Sequence, residues 1–346
     1  MTYDGRTRVA VMAEPRAGAV DLVMRDLPAL GAGEALVKIR HAGICGTDLH
    51  IIGWNAWAAQ RYRPPFALGH EFCGEVVDIA PGTAFRIGDR VTAETHLACG
   101  SCPQCRSGRG HTCDNLKTFS SLDRGAFADY SVVPAALLRK VPEAIPDPVA
   151  AIMEPAGIAL RCAREAGCEG AAVMVSGCGP IGLMAVAAAR AFGARLLLAV
   201  DPVPERRAFA LRMGADRALD PGAEDVAGIA RSLGGMDGVI ETSGAPPALS
   251  TALRAAMRGG TVLVSGLPEA EVPVDVAGQI VLREVALKGA YGRLLDRTWL
   301  DLERALAGPL DIAPVITDRF PLDEVAAAIR CAQGATAGKV LLSMQH

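Results

Sequence analysis

The stretch Val175-Ser-Gly-Cys-Gly-Pro-Ile-Gly182 decides the fold. Its glycines fall at Gly177, Gly179 and Gly182, the G-x-G-x-x-G spacing of a dinucleotide-binding turn. In a chain this rich in glycine the spacing means little until its surroundings are read. An apolar run over 172–176 precedes it, and an Ala-rich stretch from Ile181 to Phe192 follows, a strand feeding a helix. About 20 residues further on, Asp201 closes the next apolar run, Leu196 to Val200. In that setting Gly177 permits a tight turn, Gly179 lets the backbone approach a pyrophosphate, and Gly182 allows close helix packing. Pro180 and Ile181 open the helix, whose first N–H groups and positive dipole end suit phosphate. Asp201 would accept from the ribose hydroxyls and repel a 2′-phosphate, which favours NAD. Arg206 and Arg207 lie close enough in sequence to keep NADP open. A glycine-rich turn with Asp201 as a helix cap is the plain alternative.

Working outward, apolar runs at Gly238 to Thr242 and Thr261 to Ser265 continue the strand series, with helical character over Arg206 to Met213. Alternation of this kind builds an α/β fold with a doubly wound parallel sheet. The uncharged stretch from Ala171 to Ala189 has nearly the length of a membrane span. Its three glycines, Ser176 and Pro180 read instead as strand, turn and helix. Before about residue 150 the character differs. Ala35 to Ile39 and Gly74 to Ile79 read as short strands, punctuated by Pro64-Pro65, Pro81-Gly82 and Gly88-Asp89. That half predicts a β-rich, twisted and partly open barrel. Three prolines between Pro142 and Pro148 mark the change, and Lys339 to Ser343 returns to strand at the end.

The chain has 346 residues, which suggests two domains. Hydrophobic residues make up 51% and charged residues 21%, a globular balance. The net charge of −3 is scattered, so no nucleic-acid or anionic-membrane partner is indicated and a small-molecule partner is expected. Met1 to Arg8 is polar and carries no secretory signature.

Four of the ten cysteines lie close together, as Cys99-x2-Cys102-x2-Cys105-x7-Cys113. Four thiolates at such spacing can close a tetrahedral, structural zinc site that leaves no position for chemistry. Disulfides or free thiols are the alternatives. The absent secretory signature and the single tight cluster instead favour a reducing compartment, hence a cytoplasmic location. His111 stands nearby, outside a shell already complete. A second, dispersed set comprises Cys45, His70, Glu71 and Glu154. A thiolate, an imidazole and a carboxylate can hold zinc with one position left open. Taken singly, each of these residues is ordinary.

Together they resemble the zinc-containing medium-chain alcohol dehydrogenases. Gly69-His70-Glu71, the four-cysteine loop, Gly88-Asp89-Arg90-Val91 and the 177–182 turn occur in that family's order over nearly the whole chain. The resemblance implies a GroES-like catalytic domain over 1–155 and 291–346, and a Rossmann domain over 156–290. It implies that Cys45, His70 and Glu154 hold a catalytic zinc, with Glu71 beside them or as a transient ligand, and that the subunits form a homotetramer or homodimer. Within the family the chain looks nearest to the threonine dehydrogenases, through Cys45 to His50 with Trp54 and Trp57, His96, Ser243 to Pro247, Tyr291 to Arg293, and Thr298-Trp299. It departs at Ile158, where that subgroup carries Asn.

The chemistry so implied is NAD-linked oxidation of a small polar secondary alcohol, L-threonine to 2-amino-3-oxobutanoate. Thr47 takes up the hydroxyl proton and hands it to His50, while His96 and Arg293 are candidate substrate contacts. A sugar-alcohol dehydrogenase with the same parts and a non-catalytic NAD-binding regulator are the alternatives.

Overall fold

The computed structural model describes residues 5–268 and 270–345. Its contacts divide the chain into two units, 1–154 with 316–346, and 155–315. The return to the first unit therefore comes at 316 rather than at 291. The physical reason is local packing. The Arg293 side chain lies against Gly157, and Arg161 donates to the carbonyls of Tyr291 and Gly292 at 2.8 and 3.0 Å. These contacts tie 291–293 to the helix Met153–Glu165.

In the second unit six parallel strands follow the order Arg217–Leu219, Leu196–Val200, Ala172–Ser176, Met236–Glu241, Ala256–Val264, Ala286–Gly289. This is a doubly wound sheet, and its order reverses between Ala172–Ser176 and Met236–Glu241. The glycine turn leaves the sheet at that reversal, where such sheets bind ligands. Ala172–Ser176 is buried along its whole length, as a strand covered on both faces must be. The helix Pro180–Ala191 buries eight residues, four of them alanines, whose small side chains let helix and sheet approach. The stretch once open to a membrane reading is thus a strand, a turn and a helix. Among the described residues no helix is long and apolar enough to cross a membrane.

The first unit is built on a seven-stranded sheet in which Glu34–Gly43 is central. It pairs antiparallel with Glu71–Ile79, Tyr130–Pro134 and Lys339–Ser343. The sheet is open, ending at Leu138–Lys140 and Ile316–Pro321. Its core packs Val37, Ile39, Phe72, Val76, Phe119 and Phe127.

Candidate active site

Three neighbouring strands and one short helix converge on the dispersed set. Glu34–Gly43 turns directly into the helix Gly46–Ile52, with Cys45 as its N-cap. Asp48 lies in the first helical turn, where its charge complements the dipole, and its Oδ2 accepts the Cys45 N–H at 3.0 Å. The register sets Glu71 opposite Gly43 and so brings His70 alongside Cys45. Ligand atoms of Cys45, His70 and Glu71 all lie within 4.8 Å of one another.

Glu154 is not in that group. It is buried, and its Oε1 accepts a hydrogen bond from Thr95 Oγ1 at 2.8 Å. Glu71 is fully buried with the Lys339 ammonium against both carboxylate oxygens, at 2.7 and 2.6 Å. Two residues of this site were not singled out in the sequence. One is Lys339, far from Glu71 in the chain. The other is Asp48, whose Oδ1 lies 3.4 Å from His70 Nδ1. The signal for Asp48 was present: an acid three residues after Cys45 is a capping pattern. Burial alone would depress His70. The Asp48 carboxylate and the Cys45 sulfur overcome it and hold the imidazole well above its ordinary value. With Nδ1 turned to a carboxylate, Nε2 is left for a metal, the usual arrangement of a ligating histidine. A soft thiolate, an oriented imidazole and a carboxylate form a donor set that fits zinc.

Thr47 and His50 share the same short helix, three residues apart and so on one face. Thr47 is half-buried and His50 exposed, which suits the inner and outer ends of a proton path. Among the described residues no hydrogen bond joins them directly. His50 Nδ1 is 3.1 Å from Asn55 Nδ2. His96 begins a two-residue strand paired with Lys117–Thr118, its Nδ1 3.9 Å from Glu94 Oε1. Arg293 is 1% exposed, with its stem against Gly157.

Cys99, Cys102, Cys105 and Cys113 come within 4.8 Å of one another and form no disulfide. Backbone N–H groups point at the sulfurs, from Cys99 and Asn115 to Cys113 at 3.3 Å, and from Cys105 to Cys102 at 3.4 Å. The amide of Ser101 does the same for Cys99, whose thiol is held down to about 5. Burial pushes Cys105 the other way, up to about 12. Four convergent sulfurs with amide donors fit a closed tetrahedral zinc site. His111 is buried and lies outside the group.

In the second unit Gly177 has φ +89°, and a Cβ there would meet Ser243 at 2.8 Å. A Cβ at Gly182 would overlap the carbonyl oxygen of Gly177. Gly179 caps the helix Pro180–Ala191 and has nothing within 4 Å of where a Cβ would stand. That open approach, with the first-turn N–H groups of Ile181 and Gly182 beyond it, fits a pyrophosphate. Asp201 is buried, and its carboxylate accepts the amides of Cys178 at 2.8 Å and Val203 at 2.9 Å. It thus holds the turn in shape, leaving its remaining lone pairs for a ribose. Arg207 is committed to the Asp201 and Pro202 carbonyls and to Asp220. The half-buried Arg206 has no hydrogen-bond partner for its Nε.

Comparison with known proteins agrees with this geometry. Residues 31–143 match the alcohol dehydrogenase GroES-like domain, and residues 180–307 match the zinc-binding dehydrogenase domain. The chain is 38% identical over 345 residues to an L-threonine 3-dehydrogenase of Caldanaerobacter subterraneus, covering 98% of this chain and 99% of that one. Among solved structures it resembles an alcohol dehydrogenase of Escherichia coli complexed with NADH, at TM-score 0.89 and 26% identity, covering 98% of this chain and 99% of the other. It also resembles a zinc-binding dehydrogenase of Sinorhizobium meliloti bound to NADP, at TM-score 0.88 and 29% identity, again covering 98% and 99%. The chain belongs to the zinc-binding alcohol dehydrogenase family. It is an oxidoreductase with a GroES-like and a Rossmann-type domain.

Proposed function

We propose that the protein oxidises the 3-hydroxyl of L-threonine to give 2-amino-3-oxobutanoate, with NAD as acceptor. The observation that carries the reading is the grouping of Cys45, His70 and Glu71 beside the Thr47 helix. The substrate is suggested by the name of the 38% identical relative. When bound, zinc would supply the Lewis acidity that lowers the pKa of the substrate hydroxyl, and NAD would supply the hydride acceptor for C3. Cys45 and His70 would hold that zinc, with Glu154 or Glu71 as the carboxylate, while Cys99, Cys102, Cys105 and Cys113 would hold a second, structural one. Thr47 accepts the hydroxyl proton and passes it through water to His50, which is exposed and releases it to solvent. Asp48 fixes the His70 ring. Asp201 favours NAD over NADP by placing a carboxylate at the ribose position.

The test is nicotinamide absorbance with L-threonine and with a panel of small polyols, using NAD and NADP in parallel. Turnover of L-threonine with NAD, abolished by Cys45→Ser, supports the reading. Turnover only of polyols moves the substrate, and Ile158, half-buried on the helix Met153–Glu165, becomes the first residue to exchange. Equal turnover with NADP removes the role given to Asp201.

We also propose a homo-oligomer. The edge strand Ala286–Gly289 is exposed at every residue, and Val281 and Leu282 just before it are 63% and 70% exposed. An unprotected edge beside apolar side chains suits pairing with a second copy. Leu287→Lys should shift the mass in light scattering from oligomer to monomer; an unchanged mass rules out this edge.

A further inference from the structure

Asn55 meets His50 twice. Its backbone N–H donates to the His50 carbonyl at 3.4 Å, and its side-chain Nδ2 lies 3.1 Å from His50 Nδ1. The turn that brings them together is tight. The helix Gly46–Ile52 ends at Gly53, and Trp54 takes the left-handed backbone, φ +47°, that folds the chain back. That conformation is strained for a bulky residue and persists where packing over-determines it, here with Trp54 against the core of the first unit. Asn55 then caps the next helix, Ala56–Arg61, its Oδ1 accepting the Ala58 N–H at 3.0 Å.

That cap decides which way round the amide stands. The oxygen and nitrogen of an Asn side chain are told apart by their partners, and a backbone N–H can only donate. Oδ1 is therefore the atom facing Ala58, and the group facing His50 is the NH2, which has no acceptor capacity. His50 Nδ1 must accept. A neutral imidazole has one N–H and one lone pair, so a lone pair on Nδ1 puts the proton on Nε2. We propose that Asn55 is a positioning residue that holds neutral His50 in the Nε2–H tautomer, making Nδ1 the nitrogen that takes up the relay proton. This rests on the proton path proposed above. Protonated Nε2 has no lone pair to offer, so the proton arriving through water enters at Nδ1 as the Asn55 amide gives way. The Nε2 proton then leaves to solvent, one proton taken up for one released. The ring is left with its hydrogen on Nδ1, against a donor, and exchange with water returns it to the form Asn55 favours. An incidental surface contact makes a different prediction: changing Asn55 would leave the tautomer as it was.

The test uses the full-length, zinc-loaded protein with isotope-labelled histidine rings, and His50→Gln to identify the His50 signals. Couplings from the ring nitrogens to the carbon-bound ring protons show which nitrogen carries hydrogen. Wild type is compared in alkaline buffer with Asn55→Asp and Asn55→Ser, both of which keep a capping oxygen for Ala58. In wild type the proton should sit on Nε2. In Asn55→Asp the new carboxylate should draw it to Nδ1 and close the entry. There kcat for the alcohol that wild type oxidises should fall on the order of 10- to 100-fold with KM unchanged, part of what a placed acid–base group supplies. Asn55→Ser, too short to reach the ring, should show both tautomers in exchange and a smaller fall in kcat. A wild-type proton on Nδ1, or an Asn55→Asp ring that stays in the Nε2–H form, overturns the proposal. A shifted tautomer with unchanged kcat overturns Nδ1 as the point of entry. A wild type that oxidises no alcohol overturns the reaction proposed above, a separate failure, and the spectra alone then decide whether Asn55 places the proton.

Discussion

Asp48 serves Cys45 and His70 at once: Oδ2 accepts the Cys45 amide at 3.0 Å while Oδ1 faces His70 Nδ1 at 3.4 Å. One carboxylate thus fixes the helix that presents the thiol and the ring that presents the imidazole. Asp48→Asn keeps the shape and removes the charge. Metal affinity at the Cys45 site should fall by roughly 10- to 100-fold, as for other groups that orient a ligating histidine. Competition with a chelator of known affinity checks this, and an unchanged affinity would show that the carboxylate only caps the helix.

Gly182→Ala places a methyl group on the Gly177 carbonyl. The turn must move or the helix Pro180–Ala191 must tilt, a strain of about 1–3 kcal/mol. NADH binding, followed by nicotinamide fluorescence, should be lost or severely weakened, with a smaller fall in Tm. Gly179→Ala, whose added methyl meets nothing in the protein, should leave Tm unchanged and weaken only NADH.

Removal of a sulfur from the four-cysteine group tests the structural metal. Cys102→Ser or Cys113→Ser should drop the metal content by one ion per chain and lower the Tm. Both sulfurs are buried and accept backbone N–H groups, so a local loss of order is expected as well. Elemental analysis and calorimetry read the two effects. A full metal complement in either variant would mean that the cysteines hold no ion.

Asp147 accepts from Arg40 Nη1 at 2.8 Å and from Arg90 Nε at 2.9 Å. Burial would raise its carboxyl, but the two guanidinium groups outweigh that and hold it below the usual carboxylate range. A carboxyl lowered by folding adds stability above its unfolded pKa of about 3.9, and that stability is lost as pH falls through the folded value. Asp147→Asn should therefore cost about 2 kcal/mol near neutral pH. The gap to wild type should close in acid. Denaturant melts over a pH series check this, and a gap that persists in acid would assign the loss to packing.

Much of this protein was legible along the chain because its signals are local. The glycine turn, the strand before it and the helix after it form one continuous piece, and Gly177 and Gly182 answer to neighbours within a few residues or across the adjoining strand, while Gly179 faces open space. The four cysteines lie in one short loop, so their spacing nearly dictates their meeting. Short edge strands such as Arg217–Leu219 and Ala286–Gly289 were not legible, since they carry too few apolar residues to show a period. The return to the first unit was expected too early because the packing of Arg293 on Gly157 is set by side-chain shape, not by local pattern. Sequence by itself determined the class of fold, the phosphate turn and the two sets of metal-ligating residue types. Only the tertiary structure decided that Glu71, rather than Glu154, stands with Cys45 and His70, and that Lys339 closes over it. That choice depends on the register of three strands distant in sequence. Register is fixed by the burial of whole faces and not by the residues that end up in contact.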